Sequence, residues 1–262
     1  MTLAPGTTLS YVTLLVVRKT SLTITSVGRV WLFEVLMSPV VSKTEKTKLL
    51  LTRMLCAFVV LGVAFVIAVR LKIAASSPLW LDETWSAMIA TQPDWAGFLR
   101  ETWLDCHPPL YYFILRLWVA VAGDSNLVLR LPSFAFTILA ALVPLVWRPS
   151  GVTTRGAWTF AALLLLWQPG FYVMLDARGY ALLLLLSTCS CVAYVKLLDQ
   201  PTRRNAAIWV MLGTMMFMTH YYSGAILAGQ TIILVYRKRL ELLRLWPVAF
   251  LMTPGLAWFG YH

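Results

Sequence analysis

The chain has 262 residues, of which 60% are hydrophobic and only 13% charged; its formal net charge is +11 and its mean hydropathy +0.75. Soluble domains run at about 45–50% apolar and about 25% charged residues, so a water-soluble globule is excluded, and so is a disordered chain. The composition is that of an all-α polytopic membrane protein.

The excess of bases does not point to nucleic acid. The bases lie in short loops between apolar runs, where a membrane protein needs them, and no basic helix, zinc spacing or stacking motif accompanies them. Cys56, Cys106, Cys189 and Cys191 imply no disulfide framework and show no metal-type spacing. Residues 1–50 carry scattered Thr, Ser and Val with Arg18, Lys19, Arg29 and a cluster from Lys43 to Lys48. They read as an N-terminal cytoplasmic segment, disordered or artefactual in its first 36 residues, with Met37 and Met54 as later possible starts. No small-residue cleavage site closes the first apolar run, so that run reads as an uncleaved span.

Apolar runs follow near 51–71, 107–122, 127–147, 157–175, 180–198, 206–219, 221–236 and 245–261. A span needs about 20 apolar residues. Four basic clusters belong in the cytoplasm: Lys43/Lys46/Lys48/Arg53, Arg148/Arg155, Lys196/Arg203/Arg204 and Arg237/Lys238/Arg239/Arg244. The stretch 80–106 holds Asp82, Glu83, Asp94, Glu101 and Asp105 and faces out. Only one crossing then fits between 106 and 148. The run 107–122 is short, opens on Pro108-Pro109 and carries Arg116, so it reads as a non-crossing interfacial helix. Residues 84–103, with Trp85, Trp95 and Trp103, read as a second. The expectation is seven spans, at 51–71, 127–147, 157–175, 180–198, 206–219, 221–236 and 245–261. Residues 51–262 form one module with an outer loop at 72–126. Arg70 and Lys72 fall on the outer side of the first span, where they snorkel or serve a lipid phosphate. The last span runs to His262 without a polar tail, which reads as truncation.

This topology gathers polar residues from separate outer connections: Asp82, Glu83, Asp105, His107, Arg130, Asp176, Arg178, Tyr180, His220, Tyr221 and Tyr222. Ionisable groups at membrane depth tend to be paired or functional. Asp82-Glu83 in LWLDETWS is either a general base at the membrane surface or an acidic helix cap, and local sequence favours the cap. His107 in DCHPPLYY is a phosphate donor, an acid/base, a metal ligand or a polar tip beside a proline turn. Its spacing of two from Asp105 does not by itself make a metal site. Arg130 and Arg178 either pair with Asp124 and Asp176 or present their donor forks to a phosphodiester. His220-Tyr221-Tyr222 reads in isolation as an aromatic belt.

The ordered series LWLDETWS, HPPLYYFILRLW, LRLPSFAFTILAAL, LDARGYALLLL and THYYSGAILA resembles the bacterial branch of the protein O-mannosyltransferase superfamily. These are GT-C-fold glycosyltransferases, close to the aminoarabinose and rhizobial lipopolysaccharide sugar transferases. The resemblance covers about residues 50–262. It implies a GT-C-type module of seven transmembrane helices with interfacial helices in the first outer loop. It further implies a polyprenyl-phosphate-linked sugar donor, a lipid, glycan or protein acceptor, and inverting transfer on the extracytoplasmic face of the cell membrane. By the same resemblance Asp82 and Glu83 are catalytic, with Asp82 as the base. His107, Arg130, Asp176, Arg178, His220 and Tyr221 bind the donor and its phosphate. No cofactor is required by the resemblance, and a divalent metal remains open. Trp85 stands where some relatives carry a base, and the chain stops before the relatives' variable C-terminal part. The competing readings are a lipid or solute transporter, whose charges would sit at mid-span, and a non-catalytic fragment or scaffold.

Overall fold

The computed structural model of the chain describes residues 43–238 and 244–262. The expectations for residues 1–42, and for Arg239 in the last basic cluster, lie outside the described residues. The chain divides into two compact units, residues 1–53 and 54–262. The described part of the first, residues 43–53, is the opening of a helix.

Every element among the described residues is helical. In order they are α1 (Lys43–Ser76), α2 (Leu81–Ala90), α3 (Trp95–Leu104), α4 (Leu110–Ala122), α5 (Asn126–Val146), α6 (Thr154–Leu166), α7 (Gln168–Leu175), α8 (Tyr180–Asp199), α9 (Arg203–Phe217), α10 (Ser223–Lys238), a 3-10 segment (Trp246–Met252) and α11 (Thr253–Tyr261). Three of them, α1, α5 and α8, are long and apolar enough to cross a membrane. At 1.5 Å per residue, a helix of 20 residues reaches about 30 Å, the thickness of the hydrocarbon layer. The outer surface suits that solvent. Phe58, Leu61 and Phe65 on α1 are 69–75% exposed, a display that water would penalise and lipid would not.

The other predicted spans fall on shorter elements. The span at 157–175 is two helices, broken at Trp167, whose extended backbone precedes Gln168-Pro169. Proline has no N–H and crowds the turn before it, so the helix cannot run through. The spans at 206–219 and 221–236 are α9 and α10, with 15 and 16 residues. The span at 245–261 opens as a 3-10 segment and becomes α-helical only at Thr253. The expected single helix at 84–103 is likewise two helices. The chain breaks at Pro93, and Asp94 caps α3 by accepting from the Gly97 N–H at 2.7 Å. Arg116 of α4 closes this break. It donates to the Gln92 carbonyl at 2.7 Å and lies 4.6 Å above the Trp95 ring.

α5 packs on α8 and α6, α8 on α9, and α2 on α4. Their shared core contains Ile89, Phe98, Tyr112, Leu115, Leu129 and Leu182. Pro132 inside α5 supplies no N–H to the Val128 carbonyl one turn earlier. Trp118 of α4 takes that acceptor, donating through Nε1 at 2.8 Å. A second polar tie links the long helices. Gln230 of α10 accepts from Trp209 of α9 at 2.7 Å and from Ser190 of α8 at 3.2 Å, the kind of bond that fixes helix pairs in lipid.

Arg70 neither snorkels nor faces lipid. It is 2% exposed. Its guanidinium reaches Met174 Sδ and the Trp167 carbonyl, both at 3.4 Å, so the break between α6 and α7 provides its acceptor. Lys72 alone of the pair is exposed.

Candidate functional site

Four connections meet at one end of this helix assembly: residues 77–80 before α2, 105–109 before α4, 176–179 before α8 and 218–222 before α10. Direct bonds tie them. The Leu110 N–H donates to the Met218 carbonyl at 3.0 Å, and the Ala177 N–H donates to Glu83 Oε1 at 2.9 Å. Ser133 of α5 donates to the Asp176 carbonyl at 2.6 Å.

The adjacent acids of LWLDETWS have separate surroundings. Both lie in the first turn of α2, where a carboxylate offsets the free N–H groups. Glu83 is 1% exposed and accepts from the Trp80 N–H at 3.2 Å, which is half of a capping box. The same carboxylate accepts from Arg130 through both Nε, at 2.7 Å, and Nη2. Arg130 spends its remaining N–H groups on the carbonyls of Ala74, Ser77 and Pro78, at 2.8–2.9 Å. An arginine has five N–H donors, and all five are taken inside the protein. Arg130 therefore ties α5 to the α1–α2 connection with Glu83 as its counter-ion, and both also line a pocket shared with Asp176. The expected alternative partner of Arg130, Asp124, is not the one it uses.

Asp82, one residue earlier, turns outward. Its side chain is 42% exposed, and Oδ2 lies 3.8 Å from Arg178 Nη2. Arg178 also donates to the Asp82 backbone carbonyl at 3.3 Å. Asp176, its expected partner, makes no ion pair with it among the described residues. Arg178 Nη2 lies 3.3 Å from His107 Nε2. Arginine has only donors, so Nε2 accepts and the ring proton sits on Nδ1. That proton faces Asp105 Oδ2 at 3.1 Å. Tyr112 donates to the same oxygen at 2.6 Å, and the His107 backbone N–H does so at 3.1 Å. Burial acts to raise the Asp105 carboxyl, but the bonds from His107 and Tyr112 outweigh it and hold it down to about 2. A continuous chain thus runs from Tyr112 through Asp105, His107 and Arg178 to the exposed Asp82.

His220 completes this wall. Its ring lies edge-on to His107 at 5.3 Å, flanked by the rings of Tyr180 and Tyr222. Its Nδ1 accepts from the Tyr222 N–H at 3.3 Å, so Nε2 carries the proton. Burial, then the neighbouring His107 and Arg178, push its pKa down, which keeps the ring neutral. Tyr221, expected here with the donor ligands, instead joins Phe217, Phe259 and His262, with its hydroxyl 3.2 Å from His262 Nδ1. Arg178 and His220 thus stand together at this end of the helices, with the exposed Asp82 beside Arg178.

Asp176 lies on the other side of Glu83. It lines a pocket of about 200 Å3 together with Trp80, Ala74 and Tyr172. The Trp80 indole N–H donates to its carboxylate at 3.3 Å. Burial nevertheless pushes the Asp176 carboxyl up to about 6. Its unfolded value is about 3.9, so between these two pH values the folded chain binds more protons than the unfolded one. Stability therefore falls as pH rises from about 4 to about 6. Asp176→Asn is expected to remove that slope and to melt higher than the parent at pH 7. Melting curves in detergent across this range check it, and an unchanged slope refutes it.

The sequence did not single out Tyr112, Trp80, Ser133 or Cys106 as site residues. All four lie inside motifs, Trp80 in LWLDETWS, Cys106 and Tyr112 in DCHPPLYY and Ser133 in LRLPSFAFTILAAL, but nothing in those motifs sets them apart from their neighbours. No family model matches this sequence, and neither the curated proteins nor the solved structures include a significant match. The function is therefore read from the geometry of the site.

Proposed function

We propose that this chain is a membrane glycosyltransferase. It moves a sugar from a polyprenyl-phosphate donor to a hydroxyl of a lipid, glycan or protein acceptor, with inversion, at the extracytoplasmic face of the cell membrane. The proposal includes seven spans of the GT-C type, with α6 and α7 together making one crossing, and an N-terminus on the cytoplasmic side. Short α9 and α10 cross by thinning the bilayer locally or by extending through their flanking turns.

The observation that carries the reading is the pairing of a half-exposed carboxylate, Asp82, with a buried guanidinium, Arg178, 96 positions along the chain and 3.8 Å away. Inverting transfer needs this combination. The acceptor hydroxyl attacks the anomeric carbon as Asp82 takes its proton, the carbon–oxygen bond to the lipid phosphate breaks, and negative charge grows on that phosphate. Arg178 and the His220 Nε2–H stabilise it. A fixed donor aimed at such a charge is worth about 3–4 kcal/mol in the transition state. His107 and Asp105 hold Arg178 from behind, so its fork is oriented before the donor arrives.

The test is transfer by the purified chain in nanodiscs, supplied with a panel of polyprenyl-phosphate sugars and mixed membrane acceptors. Release of free polyprenyl phosphate coupled to a glycosylated product supports the proposal. Transport of the intact lipid across proteoliposomes with no new glycosidic bond overturns it.

A further inference from the structure

The turn between α3 and α4 brings three different ligand types to one point. Asp105 Oδ2 lies 3.1 Å from His107 Nδ1, and Cys106 Sγ lies 3.3 Å from the same nitrogen. One ligand atom of each residue lies within 4.8 Å of the others. With Zn–N near 2.0 Å and Zn–S near 2.3 Å, two ligands of a tetrahedral zinc ion stand about 3.3–3.8 Å apart. His107 Nδ1 thus stands near ligand spacing from both Asp105 and Cys106 before any ion arrives, and those two ligand atoms lie within 4.8 Å of each other. Three successive residues do not look like a metal site in a sequence, because neighbouring side chains usually diverge. Here α3 ends at Leu104, Asp105 is extended, and Pro108-Pro109 turns the chain back.

We infer that Asp105, Cys106 and His107 form a zinc site behind the anion-binding wall, with three protein ligands and an open fourth position. A thiolate, an imidazole and a carboxylate together select a borderline-soft divalent ion over magnesium or calcium. The supporting shell is in place, since Tyr112 and the His107 backbone N–H hold the Asp105 carboxylate. Cys106 is exposed and gives the ion its way in.

Binding moves two protons. The Cys106 thiol releases one to solvent, and the His107 proton passes from Nδ1 to Nε2 as the metal takes the Nδ1 lone pair. Nε2 then meets Arg178 Nη2 as donor against donor, so Arg178 loses an internal acceptor and its N–H is free for an anion. Zinc thereby tunes the anion site. This consequence rests on the anion-binding reading proposed above, whereas the metal site itself does not.

The experiment uses the full chain in detergent without donor or acceptor. Cobalt(II) stands in for zinc because a cobalt–thiolate bond gives a charge-transfer absorption band. One equivalent of cobalt is expected to produce the band, and zinc to displace it. Cys106→Ser should abolish the band while leaving the metal-free melting temperature unchanged. Tyr112→Phe should weaken metal affinity by roughly 10–100-fold through the carboxylate it orients. A missing band, or one that survives Cys106→Ser, overturns the site. In a second arm, zinc should tighten binding of farnesyl phosphate to the parent chain severalfold and leave Cys106→Ser unaffected. Equal affinities with and without zinc overturn the coupling to Arg178 and leave the first arm to decide the metal.

Discussion

Arg130→Ala is expected to lower the stability of the folded chain by about 3–5 kcal/mol, the range for removing one partner of a buried ion pair. The reason is Glu83, which is 1% exposed beside an Arg130 that is itself 5% exposed. Without the guanidinium, a buried carboxylate is left without its counter-ion. Three backbone carbonyls lose their donors at the same time, those of Ala74, Ser77 and Pro78. These bonds separate two outcomes. Were the ion pair alone at stake, replacing both residues by apolar ones of similar volume would restore stability. Here Glu83→Leu/Arg130→Met should recover only part of the loss, because the Ala177 and Trp80 N–H groups and the three carbonyls stay unmatched. Arg130→Lys should fall between parent and Arg130→Ala, since three rotating donors cannot replace a five-donor fork. Thermal melting in detergent measures all three variants against the parent. A melting temperature for Arg130→Ala equal to the parent's would remove Arg130 from the structural role.

What the sequence revealed, and what it hid, divides along the difference between position and partner. The topology argument used only loop charge and the length of apolar runs. It still gathered Asp82, His107, Arg178 and His220, which now stand within one chain of contacts. Their position was legible because lipid forces polar groups to the ends of apolar runs. Their partners were not. Glu83 and Arg130 lie 47 positions apart, and nothing in LWLDETWS or LRLPS distinguishes a guanidinium facing phosphate from one facing a carboxylate. Nor could the sequence say which of two adjacent acids points inward, since on a helix neighbouring residues are about 100° apart and the packing of α5 decides the matter. The predicted capping role was correct for Glu83, while Asp82 kept the exposure that a base requires. Helix breaks were partly legible: Pro93 and Pro169 were visible, but an apolar run counted by length passes over a proline. Arg70 illustrates the opposite limit. Its burial depends on an acceptor created by the Trp167 break, which no local reading of its own helix contains.

Asp82→Asn is expected to reduce transfer by about 10^2–10^4-fold, the span attributed to a positioned general base, while the protein folds and inserts as before. Both halves follow from the same geometry. The Asp82 side chain is 42% exposed and its ion pair with Arg178 is long, at 3.8 Å; Arg178 keeps its bonds to the Asp82 carbonyl and to His107, so losing the carboxylate charge costs little stability. Asparagine keeps the shape and cannot accept the proton of the attacking hydroxyl. The loss should therefore appear in kcat with little change in the donor's KM, as for an interaction made in the transition state alone. Arg178→Ala should behave differently. Its side chain is 7% exposed and is bound to His107 and to Asp82, so a fall in transfer of about 10^2–10^3-fold should come with weaker binding of the lipid phosphate and a lower melting temperature. Asp82→Glu supplies the control, since a carboxylate displaced by one methylene should recover part of the rate that asparagine loses. Steady-state transfer kinetics on the three variants separate the roles, and normal turnover by Asp82→Asn would end the case for Asp82 as the base.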